Sequence, residues 1–270
     1  MKVALILPAR NEIEGLKVFL SDFLGCGKFS EIIVIDGRST DGSAAYARSL
    51  GCTVVEQTSA GMRAGYLQSY GSFSGDAVIV FSPDGNSLPE AIPEIVDRLS
   101  QGYDMVIASR YKDGAESRDD TLLSGIGNWV FTFLISRFGF RYTDAMVMYR
   151  GYRIDVPKRL GLDVIRSEKY ERTFGRHVSW EPLMSIRAAK AGLRIAEVGF
   201  DEPKRIDQTG AGALLPASRI SHFKAGFYCF LQLIEELFVW NWVLSDGKRT
   251  TFRRWRKSGL PKISTTAYRL

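Results

Sequence analysis

Val78-Ile79-Val80-Phe81-Ser82-Pro83-Asp84-Gly85-Asn86 is the stretch on which the reading of this chain turns. An apolar run rich in β-branched residues stops at a small, turn-forming, acidic cluster. A buried strand ends in this way when it delivers a carboxylate to its C-terminal edge. In open α/β sheets, ligands bind outside those edges. A carboxylate there, with an amide two residues on, can hold a hard divalent cation against a diphosphate. The stretch therefore predicts a strand end that handles a nucleoside-diphosphate substrate.

Outward from it, short apolar runs at 2–7, 31–35, 53–55, 76–81 and 104–108 alternate with longer periodic segments near 12–24, 40–50, 61–73 and 89–100. Strands separated by single helices predict an α/β fold. Its sheet is Rossmann-like and mostly parallel, with right-handed crossovers and helices on both faces. After Arg110 the pattern loosens. Residues 111–120 are polar and contain Gly114, which reads as a mobile loop, and 204–212 read as a second one. Between them fall a helix over 122–138 with a broad apolar face, a helix over 181–191 and a strand over 193–198.

The organisation expected is a nucleotide-handling domain over 1–215, followed over 216–270 by an amphipathic helix and a basic tail. Residues 246–270 carry eight basic side chains against Asp246 alone. The rest of the chain is therefore close to neutral, although the whole carries +6. A nucleic-acid binder would carry its basic patch on the folded face, so that class is set aside. A basic tail behind an aromatic helix fits a surface of anionic lipid. The aromatic stretch 223–244 is interrupted by Gln232 and Glu235-Glu236. That favours a helix lying in the membrane interface, or packed on the domain, over one that spans it. Three widely spaced cysteines with no zinc or disulfide pattern suit a reducing compartment. The expected location is cytoplasmic, peripheral at the inner face of the membrane.

Five clusters fall at successive strand ends: Leu7 to Glu12, Ile35 to Ser43, Gly61 to Ala64, Ser82 to Asn86, and Ala108 to Tyr111. Singly each is a common βα turn; in this order they converge on one cleft. The set resembles the family 2 glycosyltransferases of the GT-A fold. The nearest branch is that of dolichyl-phosphate mannosyltransferase and related polyprenyl-phosphate sugar transferases. The most specific matches are Pro8-Ala9-Arg10-Asn11-Glu12, the Asp36 to Ser43 turn, the Asp84 turn, Ser109-Arg110-Tyr111, and Asp144-Ala145 ahead of Arg150.

That resemblance implies inverting transfer from a UDP- or GDP-sugar with Mg²⁺ or Mn²⁺, onto a lipid-linked acceptor. It places Asp36, Pro8 and Glu12 at nucleotide-contact positions; Arg10 and Ser82 are further candidate nucleotide residues, and Arg63 is read as reaching the diphosphate. Asp41 reads instead as a cap for the following helix. Asp84 and Asn86 are the candidate metal residues. The family motif is Asp-x-Asp, but its first position here is Ser82, so one carboxylate is missing. Mg²⁺ tolerates this, since it keeps several waters and leans on substrate phosphates.

Arg110, Arg150 and Arg205 are candidate clamps for the acceptor phosphate, because guanidinium groups bind phosphate bidentately. Glu181 stands where family members that act on hydroxyl acceptors place a catalytic base. An ionised phosphate acceptor requires no such base, so Glu181 bears on acceptor class. Two other readings stay open at this point: a nucleotidyltransferase, which ordinarily opens with a Gly-rich loop that Pro8 to Glu12 lack, and a degenerate sugar-nucleotide-binding protein. A homodimer is also left open.

Overall fold

In the computed structural model β1 (Val3–Ala9) is buried at every residue. A central parallel strand has both faces covered, which is why its sequence is an unbroken apolar run. Residues 1–59, 61–120, 122–163, 180–206, 226–236, 241–243 and 249–251 are described. β2 (Glu31–Asp36) and β4 (Ala77–Val80) pair parallel with β1 on either side, and β3 (Thr53–Glu56) pairs parallel with β2. β5 (Met105–Ser109) and β7 (Ile195–Gly199) are parallel partners. β6 (Arg150–Arg153) runs antiparallel between β4 and β5. The seven-stranded order is β3-β2-β1-β4-β6-β5-β7, and this is the mostly parallel GT-A-like sheet expected.

Alternate residues of each strand feed two cores. Ala4, Ile6, Val78 and Val80 face one side, beneath α3 (Met62–Ser69), α5 (Leu122–Ile135) and α7 (Trp180–Lys190). Leu5, Leu7, Ile79 and Phe81 face the other, beneath α1 (Ile13–Gly25), α2 (Ser43–Ser49) and α4 (Ile92–Ser100). A further short helix, α6 (Val156–Arg159), follows β6.

β6 was not read from the sequence, and Gly151 shows why. A Cβ on Gly151 would lie 2.4 Å from Ile95 Cγ2 and 2.9 Å from Leu99 Cδ1, so α4 can cross this strand only above a glycine. Its neighbours Arg150 and Tyr152 point to the opposite core, where both are buried. Arg-Gly-Tyr-Arg therefore carries no apolar alternation, although every second side chain is inside.

Residues 226–236 are helical. Cys229, Gln232, Leu233 and Glu236 are buried, while Phe227 and Phe230 are 57% and 43% exposed. Leu233 joins the same core as the sheet. Arg187 of α7 donates from Nε and Nη2 to Glu236 Oε1 at 3.0 and 2.8 Å. This segment, read as one helix with the residues up to 244, gives way to a strand: Asn241–Val243 pairs antiparallel with Arg249–Thr251. β-branched and aromatic Trp242-Val243 followed by Asp246-Gly247 is a hairpin signal that outweighs the aromatic periodicity. Among the described residues no helix is long and apolar enough to cross a membrane. His177, His222, residues 207–212 and the tail 252–270 lie outside the described residues.

Candidate active site

The ends of β1 and β2 are level, Ala9 pairing with Asp36. Phe81, immediately after β4, donates its N–H to Ile6 of β1 at 2.9 Å. The turns that carry Glu12, Asp36 and Asp84 therefore leave the sheet at one edge. Asp36 and the Asp84 turn follow the two strands that flank β1.

The first two turns are tied into a single unit. Asn11 N–H donates to Ser39 Oγ at 2.9 Å, and Thr40 N–H donates to Asn11 Oδ1 at 2.8 Å. Glu12 N–H donates to Ser43 Oγ at 3.0 Å. Asp41 accepts from Ile13 N–H, at the start of α1, and from Ser43 N–H and Oγ–H, at the start of α2. Partial burial opposes ionisation of Asp41, but these hydrogen bonds outweigh it and hold the carboxyl below the usual range. Asp41 is thus not itself the N-cap of α2, a place that Gly42 takes, but its carboxylate bonds the first N–H of both α1 and α2.

Asn11 and Arg38 adopt left-handed backbone, φ 57° and 64°, within this unit. Asp36 is 3% exposed and accepts from the N–H groups of Arg38 and Ser39 at 3.1 and 3.2 Å. Its carboxylate thus organises the loop that would face a nucleotide. Pro8 is buried and Arg10 is exposed beside Gly37. Arg63 is buried on the first turn of α3.

The third turn is held from below and from the side. Phe81 meets Phe19, Phe23 and Tyr149 edge-on at 5.1–5.3 Å, and Tyr149 Oη–H donates to the Leu88 carbonyl at 2.9 Å. At the side, a Cβ on Gly15 of α1 would lie 1.6 Å from the Pro83 carbonyl oxygen. The helix and the Asp84 turn touch backbone to backbone, and only glycine admits that contact. Asp84, with 14% of its side chain exposed, accepts from Asn86 N–H at 3.3 Å. Ser82 is half-buried in the same turn.

Two residues arrive at Asp84 from distant segments. Arg205 Nε lies 3.6 Å from Asp84 Oδ2 and 3.2 Å from Asp119 Oδ2. Asn86 Nδ2 lies 3.5 Å from that same Asp119 oxygen. The segments that carry Asp119 and Arg205 are zipped together: Arg118 N–H donates to the Glu202 carbonyl at 2.8 Å, and Glu202 N–H to the Glu116 carbonyl at 2.9 Å. Residues 111–120, read from sequence as a mobile loop, are thus anchored along this edge. Asp119 was missed because its partners are far away in sequence and its neighbours are uniformly polar.

Arg110 and Arg150 are turned inward. Arg110 holds Asp144 from Nε and Nη2 at 2.6 and 3.2 Å, with Glu202 and Asp120 within 3.5 and 3.7 Å of its Nη1. Burial works against its charge, but the bond to Asp144 dominates and raises its pKa above the usual guanidinium value. Asp144 is fixed in turn by Glu197, which accepts from the N–H groups of Thr143 and Asp144 at 2.9 and 3.0 Å. Burial pushes the Glu197 carboxyl up.

Arg150 is 1% exposed and donates to the carbonyls of Val147, Glu181 and Ala145 and to Ser185 Oγ. Desolvation lowers its pKa, and the Glu181 carboxylate is the charge that opposes this most. Glu181, on the first turn of α7, is 7% exposed and receives the Tyr66 hydroxyl at 3.3 Å. Of the three arginines read as clamps, Arg205 alone stands at the open edge, and it faces carboxylates.

Asp84, Asn86 and Asp119 are hard oxygen donors, the set that Mg²⁺ and Mn²⁺ take. Among the described residues no three His, Cys, Asp or Glu side chains converge closely enough to hold an ion by themselves. A cation here would take its remaining ligands from water and the substrate diphosphate. The guanidinium already standing between Asp84 and Asp119 shows that a positive charge fits.

Residues 4–159 match the family described as Glycosyl transferase family 2. The undecaprenyl-phosphate mannosyltransferase of Micrococcus luteus is 28% identical over 73% of this chain and 82% of its own length. The polyprenol monophosphomannose synthase of Mycolicibacterium smegmatis is 29% identical over 73% of this chain and 76% of its own. Among solved structures, glucosyl-3-phosphoglycerate synthase from Mycobacterium tuberculosis superposes with a TM-score of 0.60. It is 18% identical over 87% of this chain and 79% of the other. A second crystal structure of that enzyme, in complex with Mn²⁺, UDP and glucosyl-3-phosphoglycerate, has a TM-score of 0.57 at 18% identity. It covers 93% of this chain and 86% of the other.

Proposed function

Since this chain belongs to glycosyltransferase family 2, we propose that it moves a sugar from a UDP- or GDP-sugar onto a polyprenyl phosphate, with inversion at the anomeric carbon. The observation that carries this reading is the placement of the Asp36 and Asp84 turns on either side of β1 at one sheet edge. A nucleoside fits against the cross-tied Asn11–Ser43 unit and the diphosphate against the Asp84 turn. A divalent cation, when bound, offsets the charge that builds on the departing diphosphate. Asp84, Asn86 and Asp119 would hold it. Fixed charges aimed at that developing charge favour the transition state over the ground state.

Glu181 supports a phosphate acceptor over a hydroxyl one. Its carboxylate is buried against Tyr66 and opposes the desolvation of Arg150, an arrangement that suits a structural partner better than a base needing access to a proton. The names of the relatives, which are polyprenyl-phosphate transferases, agree with that.

The acceptor's lipid requires a surface, and α5 offers one. Ile126, Trp129, Val130 and Phe133 lie on one stripe and are 53%, 66%, 39% and 46% exposed. Trp129 and Phe133 stack at 5.7 Å, and Arg137 sits over the Phe133 ring at 4.6 Å. A Trp-bearing apolar stripe beside a cation suits the headgroup level of a bilayer. The exposed Phe227 and Phe230 are a second such element. These support a peripheral position at a membrane surface.

The test is transfer of labelled sugar to undecaprenyl phosphate in the presence of Mn²⁺, across UDP- and GDP-sugars. One donor should be used by the parent chain, and Asp84→Ala should reduce its turnover by at least about a hundredfold. Parent-level turnover in the variant contradicts the assignment.

A further inference from the structure

We propose that Arg205 is a built-in counter-ion that occupies the cation's place between Asp84 and Asp119, and that Asp119 is the second carboxylate of the site, replacing the one absent at Ser82. This rests on the reading of Asp84 as the cation-holding residue. One nitrogen, Arg205 Nε, is within 3.6 Å of both Asp84 Oδ2 and Asp119 Oδ2. A single small cation at that point would need only a modest closure to reach ligand distances to both oxygens.

Arg205 is brought there by its backbone. Ile206 N–H donates to the Asp84 carbonyl at 2.9 Å. Gly85, at φ 91°, makes room for that approach: a Cβ on it would lie 2.3 Å from Ile206 Cγ1. Asp119 is fixed independently, through Arg118 N–H on the Glu202 carbonyl and Asp120 N–H on Ser117 Oγ. Three segments from different parts of the chain therefore meet at one pair of carboxylates.

The contact is also exchangeable. The Arg205 side chain is 39% exposed, and ion pairs that open to water are held weakly. A divalent cation brings twice the charge to the same oxygens. The displaced guanidinium then faces an arriving diphosphate, which it can bind bidentately. Arg205 thus neutralises the empty site and turns to the substrate once cation and donor enter.

The experiment follows Mn²⁺ binding to the full chain without donor, by the electron paramagnetic resonance signal of free Mn²⁺. Removing the competing charge in Arg205→Gln should tighten Mn²⁺ binding several-fold over the parent, with Arg205→Lys staying nearer the parent. In the Arg205→Gln background, Asp119→Asn should weaken Mn²⁺ several-fold and Asp84→Asn should abolish the gain. All variants should keep the parent's melting temperature, since these side chains sit at the open edge. An unchanged or weaker affinity in Arg205→Gln overturns the exchange, and an unchanged affinity on adding Asp119→Asn overturns its part as a ligand. Retention of the gain on adding Asp84→Asn would instead refute the reading of Asp84 itself.

Discussion

Gly15→Ala tests whether α1 and the Asp84 turn are built as one piece. The added methyl would sit 1.6 Å from the Pro83 carbonyl oxygen and 2.8 Å from its carbon. Carbon and oxygen ordinarily approach to no less than about 3.3 Å, so helix and turn must separate by roughly 1.7 Å. Both atoms met are backbone, so no rotamer change relieves the clash. Overpacking of this kind costs about 1–3 kcal/mol, while alanine regains about 1 kcal/mol of helix propensity over glycine. The net loss of stability is small, about 0–2 kcal/mol. The loss of activity should be larger, because a misplacement of about 1 Å at a reacting centre can cost on the order of a hundredfold. Thermal melting and steady-state sugar transfer on the same preparation separate the two effects. A variant that melts a few degrees lower yet turns over at the parent rate would refute the claim that this contact sets the position of Asp84.

Other consequences can be checked with standard measurements. Glu236→Ala leaves Arg187 charged and buried, which should cost about 3–5 kcal/mol and lower the melting point by roughly 10 °C. A drop under 2 °C would show that residues 226–236 do not share the domain's core. Burial holds the phenols of Tyr66, Tyr142, Tyr149 and Tyr152 above the usual tyrosine pKa, and that of Tyr70 is raised to about 12. A pKa raised on folding gives stability that is complete below pH 10 and is lost as pH climbs toward the folded values. Stability should therefore fall steeply above pH 10, and a flat melting temperature from pH 9.5 to 11.5 would contradict this. Trp129→Ser with Phe133→Ser should reduce co-sedimentation with anionic vesicles severalfold without lowering the melting point, and unaltered vesicle binding would remove α5 from the membrane account.

What the sequence revealed follows from which strands are buried on both faces. β1, β2, β4 and β5 read as apolar runs, and the acidic turns after β2 and β4 stand out against them. β6 was silent because one of its buried faces carries an arginine and a tyrosine and the other a glycine beneath α4. Arg150 looks like a surface cation in sequence; its charge is carried inside by three carbonyls, Ser185 and the nearby Glu181. Asp119 and Glu202 were illegible for a related reason. Each gains its role from a partner some 85 residues away, Arg205 for Asp119 and Ser117 for Glu202, and pairing of that range leaves no periodicity to find. Gly15 was readable in principle: a glycine inside an amphipathic helical pattern often marks a close backbone approach. The apolar stripe of α5 was visible as breadth, but only packing tells which part of a broad face is left uncovered.

The proposed function requires Asp36 and Asp84 to grip opposite ends of one nucleoside diphosphate. Thermal shift with a panel of UDP-, GDP- and CDP-sugars, with and without Mn²⁺, measures this directly, because a bound ligand raises the melting point by mass action. One nucleotide should stabilise the parent in a Mn²⁺-dependent manner. Asp84→Asn should abolish the Mn²⁺ dependence, and Asp36→Asn should weaken binding at any Mn²⁺ concentration. Nucleotide shifts that are identical in the parent and both variants would contradict the shared site.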